Sequence, residues 1–164
     1  MAHVTVARAH PDQYDAIAAL VDDVYVGGGF TGPDSPYRET LRDVAGRAAR
    51  AEVLVAITDD DRVVGTVTYA EHGAPDAHVA GPGEAEIRML AVAPAARRRG
   101  AGTALVDACV GLARAAGARR IRLSTEPEMT DAHRLYEGLG FVRTPERDWS
   151  PWPGGSLLAY VLEL

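Results

Sequence analysis

Apolar positions recur along this chain with two different periods. Between residues 12 and 25, Ile17, Leu20, Val21 and Val24 fall at i, i+3, i+4 and i+7, one face of a helix. Gly27-Gly28-Gly29 ends that pattern. After a loop from Phe30 to Pro36, an arginine-rich amphipathic pattern predicts one helix from Tyr37 to Arg50. Residues 102–116 predict another, with Leu105, Val106, Cys109, Val110 and Ala113 inward and Gly117 closing it. A short helix over about 130–139 ends at Gly140. Elsewhere the period is two or the run is β-branched: Val4 to Val6, Val53 to Ile57, Val63 to Tyr69, Ala85 to Val92, Arg120 to Thr125, from Phe141, and Leu157 to Leu164. The polar turn Asp59 to Arg62 joins two of these as a hairpin, and Gly73 to Gly83 shows no period. Strands in succession, followed by strand–helix–strand–helix–strand, predict a mixed α/β fold with one sheet.

Composition narrows the function classes. The 164 residues are read as one domain, 1–164, able to bury roughly 70% of its unfolded surface. No run of ~18 apolar residues exists to span a membrane, and the first residues lack the apolar stretch of a secretory signal. The lone Cys109 leaves no internal disulfide or Cys-based zinc site and fits a reducing cytoplasm; no metal site is expected. A net charge of −6 argues against general nucleic-acid binding. The charge is uneven: 6 Arg face 13 acids over residues 1–82, and 11 face 10 over 83–164.

The segment carrying chemistry runs Glu86-Ile-Arg-Met-Leu-Ala-Val92, then Ala-Pro-Ala-Ala, then Arg97-Arg98-Arg99-Gly100-Ala101-Gly102-Thr103. A strand enters an Arg/Gly turn, and the turn opens a helix. Backbone N–H groups converge at a helix N-terminus and the macrodipole adds positive charge there. Gly100 and Gly102 remove side chains that would obstruct an anion, and three arginines supply full charges. These features suit a diphosphate. The spacing is neither GxxxxGK[ST] nor GxGxxG.

Arg-x-x-Gly-x-Gly resembles the [Q/R]-x-x-G-x-[G/A] motif with which the GNAT acetyltransferase superfamily binds the pyrophosphate of acetyl-CoA. Ala132-His-Arg-Leu-Tyr136-Glu-Gly-Leu-Gly140-Phe141 is similar to the family's A-x-x-L-Y-x-x-x-G-F segment. The two motifs span roughly residues 84–143 in the family's order. The resemblance implies a mostly antiparallel, splayed central sheet with helices on both faces. It also implies acetyl-CoA-dependent N-acetylation of a primary amine by direct attack in a ternary complex.

Residue by residue, the resemblance puts the main chain of Leu90, Ala91 and Val92 on the cofactor. Leu90 N–H would polarise the thioester carbonyl and Val92 would pair with pantetheine. Arg97, Arg98, Arg99, Gly100, Ala101, Gly102 and Thr103 would wrap the pyrophosphate, and His133 would be in reach of the cofactor or face solvent. Tyr136 matches the family's general acid, a phenol that is protonated at neutral pH. Glu86, fourteen residues before Gly100, is the expected base, with Glu84 or a water chain as alternatives. One departure stands out: Met129 occupies the position where the family commonly has an asparagine contacting the cofactor arm.

The acceptor is expected between the loop after the first helix and the C-terminal strands. Tyr25, Phe30, Tyr37 and Trp149 would line it, with Gly27 to Gly29 as a mobile lid. The acidic N-terminal half favours a cationic small-molecule amine. A protein N-terminus or lysine as acceptor, or a non-catalytic acyl-CoA-binding module, are the alternatives. The apolar last strand reads either as an edge paired between two subunits or as one buried within this chain.

Overall fold

A computed structural model describes residues 3–164. The strands are β1 (Val4–Arg8), β2 (Glu52–Thr58), β3 (Val63–Glu71), β4 (Glu84–Val92), β5 (Arg120–Thr125), β6 (Val142–Arg143) and β7 (Leu158–Glu163). The helices are α1 (Tyr14–Tyr25), α2 (Pro36–Arg42), α3 (Val44–Arg50), α4 (Ala101–Ala115) and α5 (Thr130–Gly138). All seven strands form one sheet in the order β1-β2-β3-β4-β5-β7-β6. Every pairing is antiparallel except β4 with β5. Among the described residues no helix is long and apolar enough to cross a membrane.

Helices cover both sheet faces, as the resemblance implies. Leu105, Val106, Cys109 and Ala113 of α4 pack on Leu54, Ala56, Ala85 and Ile87. Ile17 and Ala18 of α1 pack with Val44 of α3 on Val53 and Val55, while Leu20, Val21 and Val24 meet Met89 and Ala91. β2 therefore alternates regularly: odd positions face α1 and even positions face α4.

The pattern fails to resolve three local points. The helix expected over Tyr37 to Arg50 is two short helices, α2 and α3, broken at Asp43. Asp43 leaves the helical region (ψ 67°), and its carboxylate accepts from Gly46 N–H at 3.0 Å, capping α3. The glycine run is no free lid: Phe30 N–H and Thr31 N–H both donate to Tyr25 O at 2.9 Å, closing the C-terminus of α1. The last strand is not an edge, because β7 is paired with β5 on one side and β6 on the other.

β4 decides where the site lies. Thr66 faces Ala91 and Thr68 faces Arg88, so β4 carries two residues, Met89 and Leu90, opposite Val67 alone. Met89 takes φ 55°, the left-handed value at this bulge. Before it, Ala85 and Ile87 face α4; after it, Met89 and Ala91 face α1. The bulge thus reverses the alternation, bringing Glu86, Arg88 and Met89 to one face.

Candidate active site

The parallel ladder between β4 and β5 pairs Glu84–Ile87 with Arg120–Leu123 and stops there. β4 continues to Val92 and β5 to Thr125, so the strands diverge. Ala93 N–H donates to Val64 O at 2.8 Å, which turns the N–H groups of alternate residues 91 and 93 toward β3. Those of Leu90 and Val92 point the other way, into the gap that β5 has left. A bulge and a divergence together expose backbone groups that a regular sheet would consume.

At the end of β4 the turn has the geometry of an anion cradle. Gly100 adopts φ 85° at the N-cap of α4, with nothing within 4 Å of where a Cβ would lie. A side chain there would project into the open space of the cradle and demand a left-handed conformation. Arg98 is also left-handed at φ 62°. Among the described residues, the N–H groups of Arg98 to Thr103 have no backbone acceptor. Arg98 and Arg99 are exposed and unpaired among those residues, while Arg97 folds back onto Val92 O at 3.3 Å. At Gly102 a Cβ would come within 2.9 Å of Leu135 Cδ2, so this glycine also lets α5 approach α4. Free N–H groups, two unpaired guanidinium groups and open space fit a diphosphate.

Tyr136 projects from α5 into the core beside Phe141 and Tyr160 and is 5% exposed. Its hydroxyl makes no hydrogen bond to any described residue. Burial holds its pKa well above the ordinary phenol value, so it is protonated throughout the neutral range. Tyr25 is shifted upward too, by burial first and then by Tyr37, Tyr136 and Glu126. Its hydroxyl donates to Leu90 O at 3.3 Å, at the mouth of the strand gap.

On the α1 side of the sheet lies a cavity of about 440 Å³. Tyr25, Tyr37 and Trp149 line it as the sequence implies, together with Glu86, Arg88, Met89, Met129, Asp76, His78, Arg50 and Glu126. Trp149 is held by its Nε1–H donating to Ser124 Oγ at 2.9 Å and meets the His78 ring edge-on. Trp152, 46% exposed, lies on the rim. Phe30 does not reach the cavity; it packs into the cluster of Val21, Val24 and Leu41. His133 has partners of its own. Its Nε2 bonds Glu126 O at 2.9 Å and its ring lies 5.9 Å from Tyr160 of β7.

The two candidate bases on β4 both hold neighbouring backbone. Glu86 is 3% exposed; its Oε1 accepts from Val79 N–H at 2.7 Å and Ala80 N–H at 3.0 Å. That oxygen anchors the loop over residues 76–80, while Oε2 has no hydrogen-bond partner among the described residues. Glu84 accepts from Gly81 N–H, Arg122 and Arg120. Although burial opposes ionisation, these donors outweigh it and bring its pKa down to about 2. The carboxylate overlooked by sequence reasoning is Glu126. It lies on the cavity wall, and its side chain has no hydrogen-bond partner among the described residues. Burial, then Glu128, raises its pKa. The available signal was its place directly after β5, where the strands diverge.

Cys109 is sealed in the core, and burial pushes its thiol up to about 12, so it offers no route for a covalent acyl relay. Among the described residues no group of His, Cys, Asp and Glu is arranged to hold a metal ion.

Residues 14–141 match the acetyltransferase (GNAT) family. Over 93 residues, 57% of this chain, the sequence is 33% identical to the mycothiol acetyltransferase of Renibacterium salmoninarum. Over 57 residues, 35% of the chain, it is 45% identical to that of Beutenbergia cavernae. The matched stretches make up only 27% and 19% of those proteins' own lengths. Among solved structures, a GNAT-family acetyltransferase from Staphylococcus aureus Mu50 superposes with a TM-score of 0.80 over 99% of both chains, at 14% identity. A Salmonella typhimurium protein solved with its cofactor acetyl-CoA gives 0.73, covering 98% of this chain and 94% of the other at 20% identity. At such identities the likeness is one of fold.

Proposed function

The chain belongs to the acetyltransferase (GNAT) family, an acyltransferase family that uses acetyl-CoA, and from that premise we propose that it acetylates the primary amine of a small molecule. The observation that carries this reading is the aromatic-walled cavity of about 440 Å³ beside the strand gap, since a volume of that order suits a small ligand.

Acetyl-CoA supplies an acetyl group activated as a thioester. Arg98, Arg99 and the N–H groups from Gly100 to Thr103 would hold its pyrophosphate, and Leu90 and Val92 would pair with the arm through their free N–H groups. Met129, on the cavity wall, packs there without donating a hydrogen bond. Leu90 N–H would donate to the oxyanion that develops at the thioester carbonyl, a contribution of about 3 kcal/mol. Tyr25 braces that residue from its carbonyl side.

Two protons move. The acceptor arrives as an ammonium with pKa near ~10 and must lose one before its nitrogen can attack. Glu126 is the carboxylate with free lone pairs and an upward-shifted pKa, and we assign it this proton in place of Glu86. Tyr136, protonated and with an uncommitted hydroxyl, gives a proton to the leaving sulfur.

Isothermal titration with acetyl-CoA tests the cradle, and CoA thiol release with a panel of small amines tests the acceptor reading. Binding without release for any small amine, beside acetylation of a protein or peptide, would overturn it.

A further inference from the structure

Arg88 lies on the cavity wall on the same face of β4 as Glu86, joined there by Met89 through the bulge, and its side chain is only 16% exposed. Its guanidinium has five N–H donors. One nitrogen, NH1, donates to Asp76 O at 3.1 Å. The Glu86 carboxylate approaches no closer than 3.7 Å, from Oε2 to Nε, beyond hydrogen-bond reach, and its other oxygen is filled by backbone N–H groups. The Tyr37 phenol lies beside Arg88, close enough for a side-chain interaction with the guanidinium that opposes the effect of burial on that phenol.

Arg50, the second arginine on the wall, is different: its Nε donates to Asp76 Oδ1 at 2.8 Å. Arg47, buried behind them, donates through NH1 to two carbonyls, and its Nε is sealed without a partner. The nitrogens of Arg88 are not sealed in this way, so their unspent donors open onto the cavity. A mostly buried guanidinium with a free donor edge is costly unless a ligand completes it. Its planar fork matches a carboxylate in bidentate fashion.

The same cavity carries the unpartnered carboxylate of Glu126, and the Tyr37 phenol lies within electrostatic reach of both charges. One wall thus offers an anion site and another a cation site. Resting on the small-amine reading above, we infer that the acceptor is a zwitterion of the amino-acid class, its carboxylate held by Arg88 and its ammonium facing Glu126. The ammonium passes one proton to Glu126. The freed nitrogen pair forms the new C–N bond at the thioester carbon as the C–S bond breaks; the sulfur takes a proton from Tyr136, and the nitrogen's second proton returns to the Tyr136 phenolate, leaving a neutral amide and the CoA thiol.

The test measures CoA thiol release by the full chain with saturating acetyl-CoA, using the proteinogenic α-amino acids, their carboxamides and the corresponding decarboxylated amines. The expected result is a preference for at least one acid over its own carboxamide of the order of 10²-fold in kcat/KM, because the carboxamide leaves Arg88 unpaired. Arg88→Gln erases that preference chiefly through KM for the acid, and Arg88→Lys restores part of it. Arg88→Gln could also loosen the loop over 76–80, so the comparison of acid with carboxamide in the unaltered chain decides the matter alone. Carboxamides or decarboxylated amines used as well as acids would overturn the acceptor class and leave the small-amine reading standing. Silence from all three sets, with acetyl-CoA bound by calorimetry, would overturn both.

Discussion

The Tyr25 hydroxyl donates to the Leu90 carbonyl across 3.3 Å, tying the last residue of α1 to the residue that follows the β4 bulge. Leu90 presents its N–H and C=O to the same side, so a brace on one aims the other. Tyr25→Phe keeps the ring in its packing and removes only the bond. A neutral hydrogen bond is worth about 1 kcal/mol, so scanning calorimetry should show Tm lower by about 2–4 °C. The rate of CoA release should fall several-fold while acetyl-CoA affinity holds.

Tyr136→Phe separates chemistry from packing. The hydroxyl has no partner within the protein, so stability should change by less than about 1 kcal/mol. Loss of the acid should lower kcat by about 10²–10⁴-fold. Steady-state kinetics beside a melting curve check both, and undiminished turnover would remove Tyr136 from the mechanism.

Glu126→Gln and Glu86→Gln should fail in different ways. Glu126 must be ionised to accept a proton, and its pKa lies above the ordinary carboxylate value. In the unaltered protein kcat/KM therefore falls as pH drops through that raised pKa, earlier than for an exposed glutamate. Glu126→Gln should lose that acid limb along with most of the rate. Glu86→Gln should retain the limb and lower Tm instead, because Val79 and Ala80 lose a charged acceptor.

The cradle can be tested without touching the core. Arg98→Ala with Arg99→Ala should weaken acetyl-CoA binding by at least about tenfold and flatten its salt dependence, since both groups are exposed and unpaired. Gly100→Ala should cost about 1–2 kcal/mol of stability from its left-handed backbone and weaken binding as well. Calorimetric titration and melting curves read these out.

Glu84 predicts how the fold responds to acid. Its folded pKa, about 2, lies below the reference value of 4.5, so its stabilisation is complete above about pH 4.5 and disappears as pH falls toward 2. Glu84→Gln should lower stability by a few kcal/mol at pH 7, because Arg120 and Arg122 lose a buried partner. Near pH 2 the variant and the parent should converge. Denaturant melts across that window check the sign.

Much of the site could be read directly from the chain because it is local. Arg97-x-x-Gly100-x-Gly102 lies within one turn, and a strand running into that turn and then a helix needs no distant partner to present N–H groups. The motif puts Tyr136 forward, and Tyr25, Tyr37 and Trp149, expected around the acceptor, do line the cavity. The break at Asp43 had a signal, an aspartate three residues before Gly46, but the apolar period continued across it and outweighed a cap.

The remainder depended on register. Glu86-Ile-Arg-Met looks like a plain alternating strand, and nothing within it announces that two residues will stand opposite Val67. That mismatch arises only when β3 pairs with β4, and it is what brings Met89 onto the face of Glu86 and Arg88. Glu86 takes on a second duty from the 76–80 loop, which, brought back over β4, donates two N–H groups to one of its oxygens. Phe30 packs half-buried against the cluster of α1 and Leu41, and His133 lies beside Tyr160 of β7. By itself the sequence determined most of the elements, the Arg/Gly turn between β4 and α4, and the family, because these depend on neighbours a few residues apart. Only the tertiary structure decided which side chains meet in the acceptor cavity, because strand register, the parting of β4 from β5 and the spending of each buried hydrogen bond are set by residues far apart in the chain.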